Sequence, residues 1–484
     1  MVLICTFLVT GLMISATRLF WFDELMTFQI AAIPSNRVFW AALHRGFDGM
    51  PPTYYLLVRA MLKWVHPAEL ALRVPSVLGL VAGCILVYDC ARRLTNNFFG
   101  LFALAVVFLS FVPHYEYEAR SYCLYFAFSA GALWTWLVPQ GERPSSLLVG
   151  LSFFCGMMVH YYFFICLVPF AIAECVNWRP WRFPAPRFIA ACGGIVAAGL
   201  LLLPEIAAEK AFNKVFWALP SLALLIHVYN EYFRSGLAVL VFALLWLILV
   251  KTPRPAGEHP GPSASERLCW FYAATPIAGY VVAKFITHAF FDRYFIGLFP
   301  GLGVAIAAAA MRHFRSANVA AAGILAMALG VGLADQARYT VDPAAVDPYR
   351  DQRDNQQTRT RDMLALDTQI KRDGKRQIVV WNALLFSQAR HYASDPGSYY
   401  FPRDPKLNPR DTFLIMLLSA LNDYVPQDLW KLRDIEKNAA TTALIDPSPQ
   451  VVEALQRDGF RSEIAMKSQK DIFTPIEVVY LERE

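Results

Sequence analysis

Apolar residues in this chain come in long unbroken runs rather than in the short alternations of a soluble domain. Runs at 1–20, 74–90, 98–113, 122–138, 146–159, 161–176, 188–204, 236–250, 269–287, 294–311 and 317–334 approach the ~20 residues that carry a helix across about 30 Å of hydrocarbon. In lipid a backbone must satisfy its own hydrogen bonds, so these runs predict helices, about eleven of them. Beyond residue 334 the pattern changes. Short apolar stretches at 378–381, 412–417, 442–445 and 476–481 predict strands, and helical periodicity at 383–393 and 449–458 predicts helices between some of them. The fold class is therefore a polytopic α-helical membrane protein of about eleven transmembrane helices, residues 1–334, with a C-terminal soluble α/β domain, residues 335–484. The first run is expected to remain as an uncleaved helix, although Ile14-Ser15-Ala16-Thr17 has the look of a weak signal-peptidase site.

Composition sharpens this division. Of 484 residues, 56% are hydrophobic and 17% charged, against about 25% charged in soluble domains. Residues 335–484 hold 21 of the 44 Lys and Arg and 23 of the 38 Asp and Glu, so an oily part of net charge +8 precedes an ordinary part of net charge −2. A collagen, a coiled coil, a disordered tail and a small disulfide scaffold are excluded. All nine cysteines fall in the oily part with no CxxC pair, which reads as core packing rather than a zinc site. Basic residues beside apolar runs suit a membrane protein, and no nucleic-acid partner is expected.

Orientation follows from the loops. Segments 91–97, 139–146, 177–188, 251–268 and 311–316 carry eleven Lys or Arg in 51 residues, whereas 21–73, 114–121, 205–235 and 288–294 carry ten in 99, balanced by ten acids. The first set is expected in the cytoplasm and the second outside, and an odd number of spans then places 335–484 outside as well.

Polar motifs gather in that outer set. Trp21-Phe22-Asp23-Glu24 follows the first span, Asp48-Gly49-Met50-Pro51-Pro52-Thr53-Tyr54-Tyr55 closes the first loop, and Tyr115-Glu116-Tyr117-Glu118-Ala119-Arg120-Ser121-Tyr122 joins two spans. His160-Tyr161-Tyr162 and Asp292-Arg293-Tyr294 complete the set. Adjacent carboxylates can supply a general base, and arginines can hold an anionic leaving group. Taken singly, each feature has a plainer reading. Asp23 and Glu24 would be a helix end in solvent, Arg120 an interface anchor, Arg293 the ion partner of Asp292, and His160 an interfacial hydrogen-bonding residue. Trp21, Trp40 and the tyrosines would form an aromatic belt. No P-loop, GxSxG, HExxH or EF-hand pattern occurs.

Taken together and in order, the motifs resemble those of the GT-C integral-membrane glycosyltransferases, in the bacterial branch related to protein O-mannosyltransferases and the lipid A aminoarabinose transferase. Asp23-Glu24 resembles the first-loop acidic motif, and Pro51-Pro52-Thr53-Tyr54-Tyr55-Leu56-Leu57 the Pro-Pro-Leu-Tyr-Tyr segment. Glu118-Ala119-Arg120-Ser121-Tyr122 is similar to the Glu-Ala-Arg-x-Tyr signature, and Arg293-Tyr294-Phe295 with Pro300 to the Arg-Tyr helix. The resemblance covers about residues 15–310; Met50 departs from it where many relatives carry a histidine. It implies a GT-C-like fold, a polyprenyl-phosphate-linked sugar as donor, and inverting transfer to an extracytoplasmic lipid, polysaccharide or protein, in the cell (inner) membrane. It further implies Asp23 as base, Glu24 and Glu118 orienting sugar or acceptor, and Arg120 and Arg293 on the donor phosphate. Asp48, Tyr55, Glu116, Tyr122, His160 and Tyr294 are the expected substrate-binding residues, with Glu116 able to exchange roles with Glu118. No cofactor is certain, and a divalent cation is left open. The rival from another class is a transporter or flippase for an amphipathic lipid-linked substrate. Transporters place their charges at mid-membrane on broken helices, whereas here Asp23, Glu118, Arg120 and Arg293 stand at span ends.

Overall fold

The computed structural model describes residues 2–46, 49–108, 110–137, 146–176, 185–213, 219–233, 261–313, 352–403, 412–468 and 476–483. It divides into two compact units, one of Met1–Thr17 with Gly49–Val341 and one of Arg18–Asp48 with Asp342–Glu484.

The first unit is helical. The apolar runs between residues 1 and 204, and those at 269–287 and 294–311, fall on helices, while 236–250 and 317–334 lie outside the described residues. Among the described residues three helical stretches are long and apolar enough to cross a membrane, Ala68–Leu94, Ala264–Thr287 and Asp292–Arg312, and a fourth if the bent pair Pro186–Leu201 and Leu203–Glu209 counts as one. Val2–Thr17, Asn97–Phe108, Tyr122–Leu137 and Ser146–Val159 are shorter apolar helices packed beside them. Helix Ala68–Leu94 is central, and its Gly79 and Gly83 allow the Tyr122–Leu137 helix to come close. A Cβ at Gly79 would lie 2.8 Å from the Cys123 backbone, and one at Gly83 would lie 2.4 Å from the Phe126 ring. Two small residues four apart are what backbone-to-backbone packing in lipid requires. Leu147, Leu200 and Leu201 remain exposed on the outside of the bundle, as suits hydrocarbon rather than water.

Two contacts tie described residues of segments expected in the cytoplasm to neighbouring helices. Arg312 pairs with the buried Glu266 at 2.6 Å, and Arg187 donates to the Trp136 carbonyl at 2.9 Å. Residues 264–268, within the 251–268 segment read as a loop, are already helical, with Ser263 accepting from the Glu266 amide at their start.

The second unit is built on a six-stranded sheet. Its strands are β1 (Gln377–Val380), β2 (Tyr399–Pro402), β3 (Leu429–Trp430), β4 (Thr442–Ile445), β5 (Phe460–Lys467) and β6 (Glu477–Arg483), in the order β3-β2-β1-β4-β6-β5. The first four are parallel, with Ile378 opposite both Tyr399 and Ala443; β6 runs antiparallel to β4, and β5 antiparallel to β6. Val379, Trp381, Leu444, Val451, Leu455 and Val479 make a core on one face. The strands expected at 378–381, 442–445 and 476–481 and the helices at 383–393 and 449–458 are present within a few residues. The strand expected at 412–417 is instead the start of helix Thr412–Leu421. A short apolar run cannot by its pattern alone choose between buried strand and buried helix, and here the run continues through Leu, Met and Ala, which favour the helix. β2, β3 and β5 had no strong alternating signal.

Candidate active site

The sequence-predicted residues fall into two groups, one in each unit. In the second unit, residues 18–21 lead into helix Phe22–Ala31, whose buried face is Phe22, Leu25, Met26 and Ile30. Trp21 is extended (φ −96°, ψ 177°), and its N–H donates to Glu24 Oε2 at 3.0 Å. A carboxylate reaching back from the third helical position satisfies an amide that the helix leaves open. One oxygen of the buried Glu24 is therefore committed to starting its own helix. Asp23 is only partly buried in the same first turn, and its carbonyl accepts from the Thr27 hydroxyl at 3.0 Å. Asp48 lies outside the described residues.

In the first unit the Glu118–Tyr122 segment makes a tight turn. After a 3₁₀ helix, Val112–Tyr117, Glu118 is extended (φ −117°, ψ 126°), and the Arg120 N–H donates back to the Glu118 carbonyl at 2.7 Å. This places Glu118 and Arg120 at the two ends of a three-residue turn with the buried Ala119 between them. The Ser76 hydroxyl lies beneath the turn, 2.7 Å from the Glu118 carbonyl and 2.9 Å from that of Arg120. Tyr54 Oη is 3.1 Å from Ser76 Oγ and 3.0 Å from the Leu72 carbonyl. Tyr55, its neighbour on helix Pro52–Met61, is fully buried, and the Ser121 hydroxyl faces the Met50 sulfur at 3.4 Å.

Aromatic rings flank Arg293. The Arg293 guanidinium lies 4.7 Å from the Phe291 ring centre and 5.6 Å from that of Tyr122. His160 stacks on Tyr125 at 4.9 Å and touches Tyr122 at 5.5 Å and Tyr294 at 5.7 Å, while Tyr294 stacks on Tyr162 at 4.7 Å. His160 Nδ1 accepts the Tyr162 amide at 3.2 Å and so opens the 3₁₀ turn that follows it, and Asp292 Oδ1, at the start of its own 3₁₀ turn, accepts the Arg293 amide at 2.6 Å. The charges of Arg120 and Arg293 both bear on Tyr122 and on His160, and that of Glu118 bears on Tyr122. Glu118, Arg120, Tyr122, His160, Arg293 and Tyr294 therefore form one cluster.

The Glu116 carboxylate is buried against helix Val2–Thr17, where a Cβ on Gly11 would fall 1.9 Å from Oε1. Three residues were missed. Arg73 is fully buried and donates through Nη1 to the Ser15 carbonyl at 2.9 Å, in the last turn of Val2–Thr17 where carbonyls lack helical partners. Its only signal was a charge at the threshold of an apolar run. Tyr54 stood in the Pro-Pro motif with no role of its own, and Ser76 read as an ordinary residue of an apolar helix. Among the described residues no three His, Cys, Asp or Glu side chains converge as a metal-binding group.

No family model matches the sequence, and no curated protein matches it either. Two solved structures match over nearly its whole length. The ArnT of Cupriavidus metallidurans bound to undecaprenyl phosphate is 12% identical with a TM-score of 0.56, and its apo state is 11% identical with a TM-score of 0.57. Each match covers 99% of this chain and 97% of the other. At this identity the likeness is one of architecture, and it agrees with the motifs read from the sequence: the chain has the fold of these ArnT structures.

Proposed function

We propose that the chain is an inverting glycosyltransferase that moves a sugar from a polyprenyl-phosphate donor to an acceptor lipid, glycan or protein on the outer face of the cell membrane. The observation that carries this reading is the Arg293 guanidinium over the Tyr122 ring, with the buried Arg120 two residues before that tyrosine. Two cations in a water-poor aromatic setting suit a phosphate, whose oxygens accept the planar fork of a guanidinium. The fold shared with a protein solved with undecaprenyl phosphate supports the same donor class. In this reading the acceptor hydroxyl attacks the anomeric carbon as the bond to the phosphate oxygen breaks. Asp23 takes the hydroxyl proton, the bonding pair leaves on the phosphate, and Arg120 and Arg293 receive that charge. A phosphate leaves readily near neutral pH, so no acid need protonate it, unlike the carboxyl pair of a glycosidase. Glu118, at the other end of the Arg120 turn, orients sugar or acceptor.

The test is release of polyprenyl phosphate by purified protein given polyprenyl-phosphate sugars and envelope acceptors. A deletion strain should lack one envelope sugar and accumulate its lipid-linked donor. Purified protein that carries the intact donor across a vesicle membrane without cleaving it would overturn the reading in favour of transport.

A further inference from the structure

The acidic motif at Asp23-Glu24 is held by the C-terminal sheet unit, through a part of the molecule to which no role has been given. Residues 18–21 belong to no regular element, so their backbone groups need partners from elsewhere. Phe20 finds both on the helix Ala383–Tyr392, which directly follows β1. Its N–H donates to Tyr392 Oη at 2.6 Å, and its carbonyl accepts from Gln388 Nε2 at 2.6 Å. Gln388 is fully buried, and Thr360, also fully buried, donates to its Oε1 at 2.6 Å. With the oxygen side of the amide taken by Thr360, the NH₂ side must face Phe20. The Phe20 ring is fully buried, and His391 lies 5.7 Å from it and 5.1 Å from Phe28 on the next helical turns. Near the far end of helix Phe22–Ala31, Gln427 Nε2 donates to Gln29 Oε1 at 3.3 Å. Ties at both ends leave the helix little freedom to rotate about its axis, and that rotation sets where Asp23 faces.

We infer that Gln388 and Tyr392 are positioning residues for Asp23, gripping the backbone of Phe20 so that the sheet unit fixes the direction of the acidic turn. The inference rests on the reading of Asp23 as the base and names the part of the chain that aims it.

Full-length Gln388→Met and Tyr392→Phe in nanodiscs test it, each alone and combined with Asp23→Asn. If the grip acts through Asp23, each single variant lowers kcat about tenfold with donor KM unchanged, and neither lowers it further once Asp23 is already Asn. Equal losses in both backgrounds, or a raised donor KM at unchanged kcat, would overturn the role. Deuterium uptake at residues 18–27 provides a readout that needs no substrate. Faster exchange there in both variants supports the grip, and unchanged exchange overturns it. A wild-type protein that releases no polyprenyl phosphate from any donor would sink the transferase reading instead, and the exchange result would still decide whether Phe20 is anchored.

Discussion

Asp23 and Glu24 are adjacent in sequence, yet the structure gives them different work. Glu24 turns back to the Trp21 amide, whereas Asp23 remains partly open in the same helical turn. Asp23→Asn should therefore cut turnover by about 10²-fold or more while leaving expression intact, as loss of a general base does. Glu24→Gln keeps an acceptor oxygen for Trp21 and should be nearly silent in stability; Glu24→Ala should cost about 1 kcal/mol, read by thermal unfolding in detergent. Near-normal transfer by purified Asp23→Asn would move the base to Glu118. The arginines make a separate prediction, because lysine keeps the charge but not the fork. Arg120→Lys should weaken donor use several-fold and Arg120→Ala more, with Arg293 alike; unchanged donor affinity and turnover in Arg120→Ala would make it an interface anchor. These residues were legible because their types and order form motifs. Arg73 was not, since nothing in Leu72-Arg73-Val74 announces that its guanidinium reaches a carbonyl at the end of another helix.

The elements show the same limit more sharply. Apolar run length located the helices, and short apolar stretches located β1, β4 and β6, because burial fixes those patterns locally. What holds Glu118-Ala119-Arg120 in shape is not local: a serine on Ala68–Leu94 and a tyrosine on Pro52–Met61, dozens of residues upstream, meet beneath the turn. Ser76→Ala removes the hydroxyl shared by the two carbonyls, at a cost of about 1 kcal/mol. Tyr54→Phe removes one link less directly and should cost about 1 kcal/mol. Both should lower turnover with Glu118 and Arg120 intact, and Ser76→Thr should restore part of it. Wild-type kinetics in Ser76→Ala would show that the turn keeps its form without the hydroxyl. The run at 412–417 misled for the opposite reason, since it carries strong hydrophobicity and no periodic information.

For the molecule as a whole, the contrast in basic density between the two loop sets predicts a topology. A cysteine-accessibility map should find Arg182 and Pro260 inside, and Asp48, Tyr117 and Gln356 outside; a cytoplasmic residue 356 would reverse the expected span parity. Hydropathy drew one boundary, near residue 334. Compactness draws a different outline, with Arg18–Asp48 joined to Asp342–Glu484, and no charge or hydropathy signal in the first loop could have suggested it. This outline has a consequence for how the protein is made. The Phe20 backbone and the side chains that bind it are 368 and 372 residues apart. At about 5–20 residues per second of synthesis, the first loop waits roughly 20–70 s before its partners exist. During that interval the Phe22, Leu25, Met26 and Ile30 face has only helix Asn36–Leu43 of its own unit beside it. The acidic turn is thus the last part of the protein to be finished although it is among the first to be translated, and a nascent chain stalled anywhere before the sheet would carry Arg120 and Arg293 with the Phe20 backbone still unanchored.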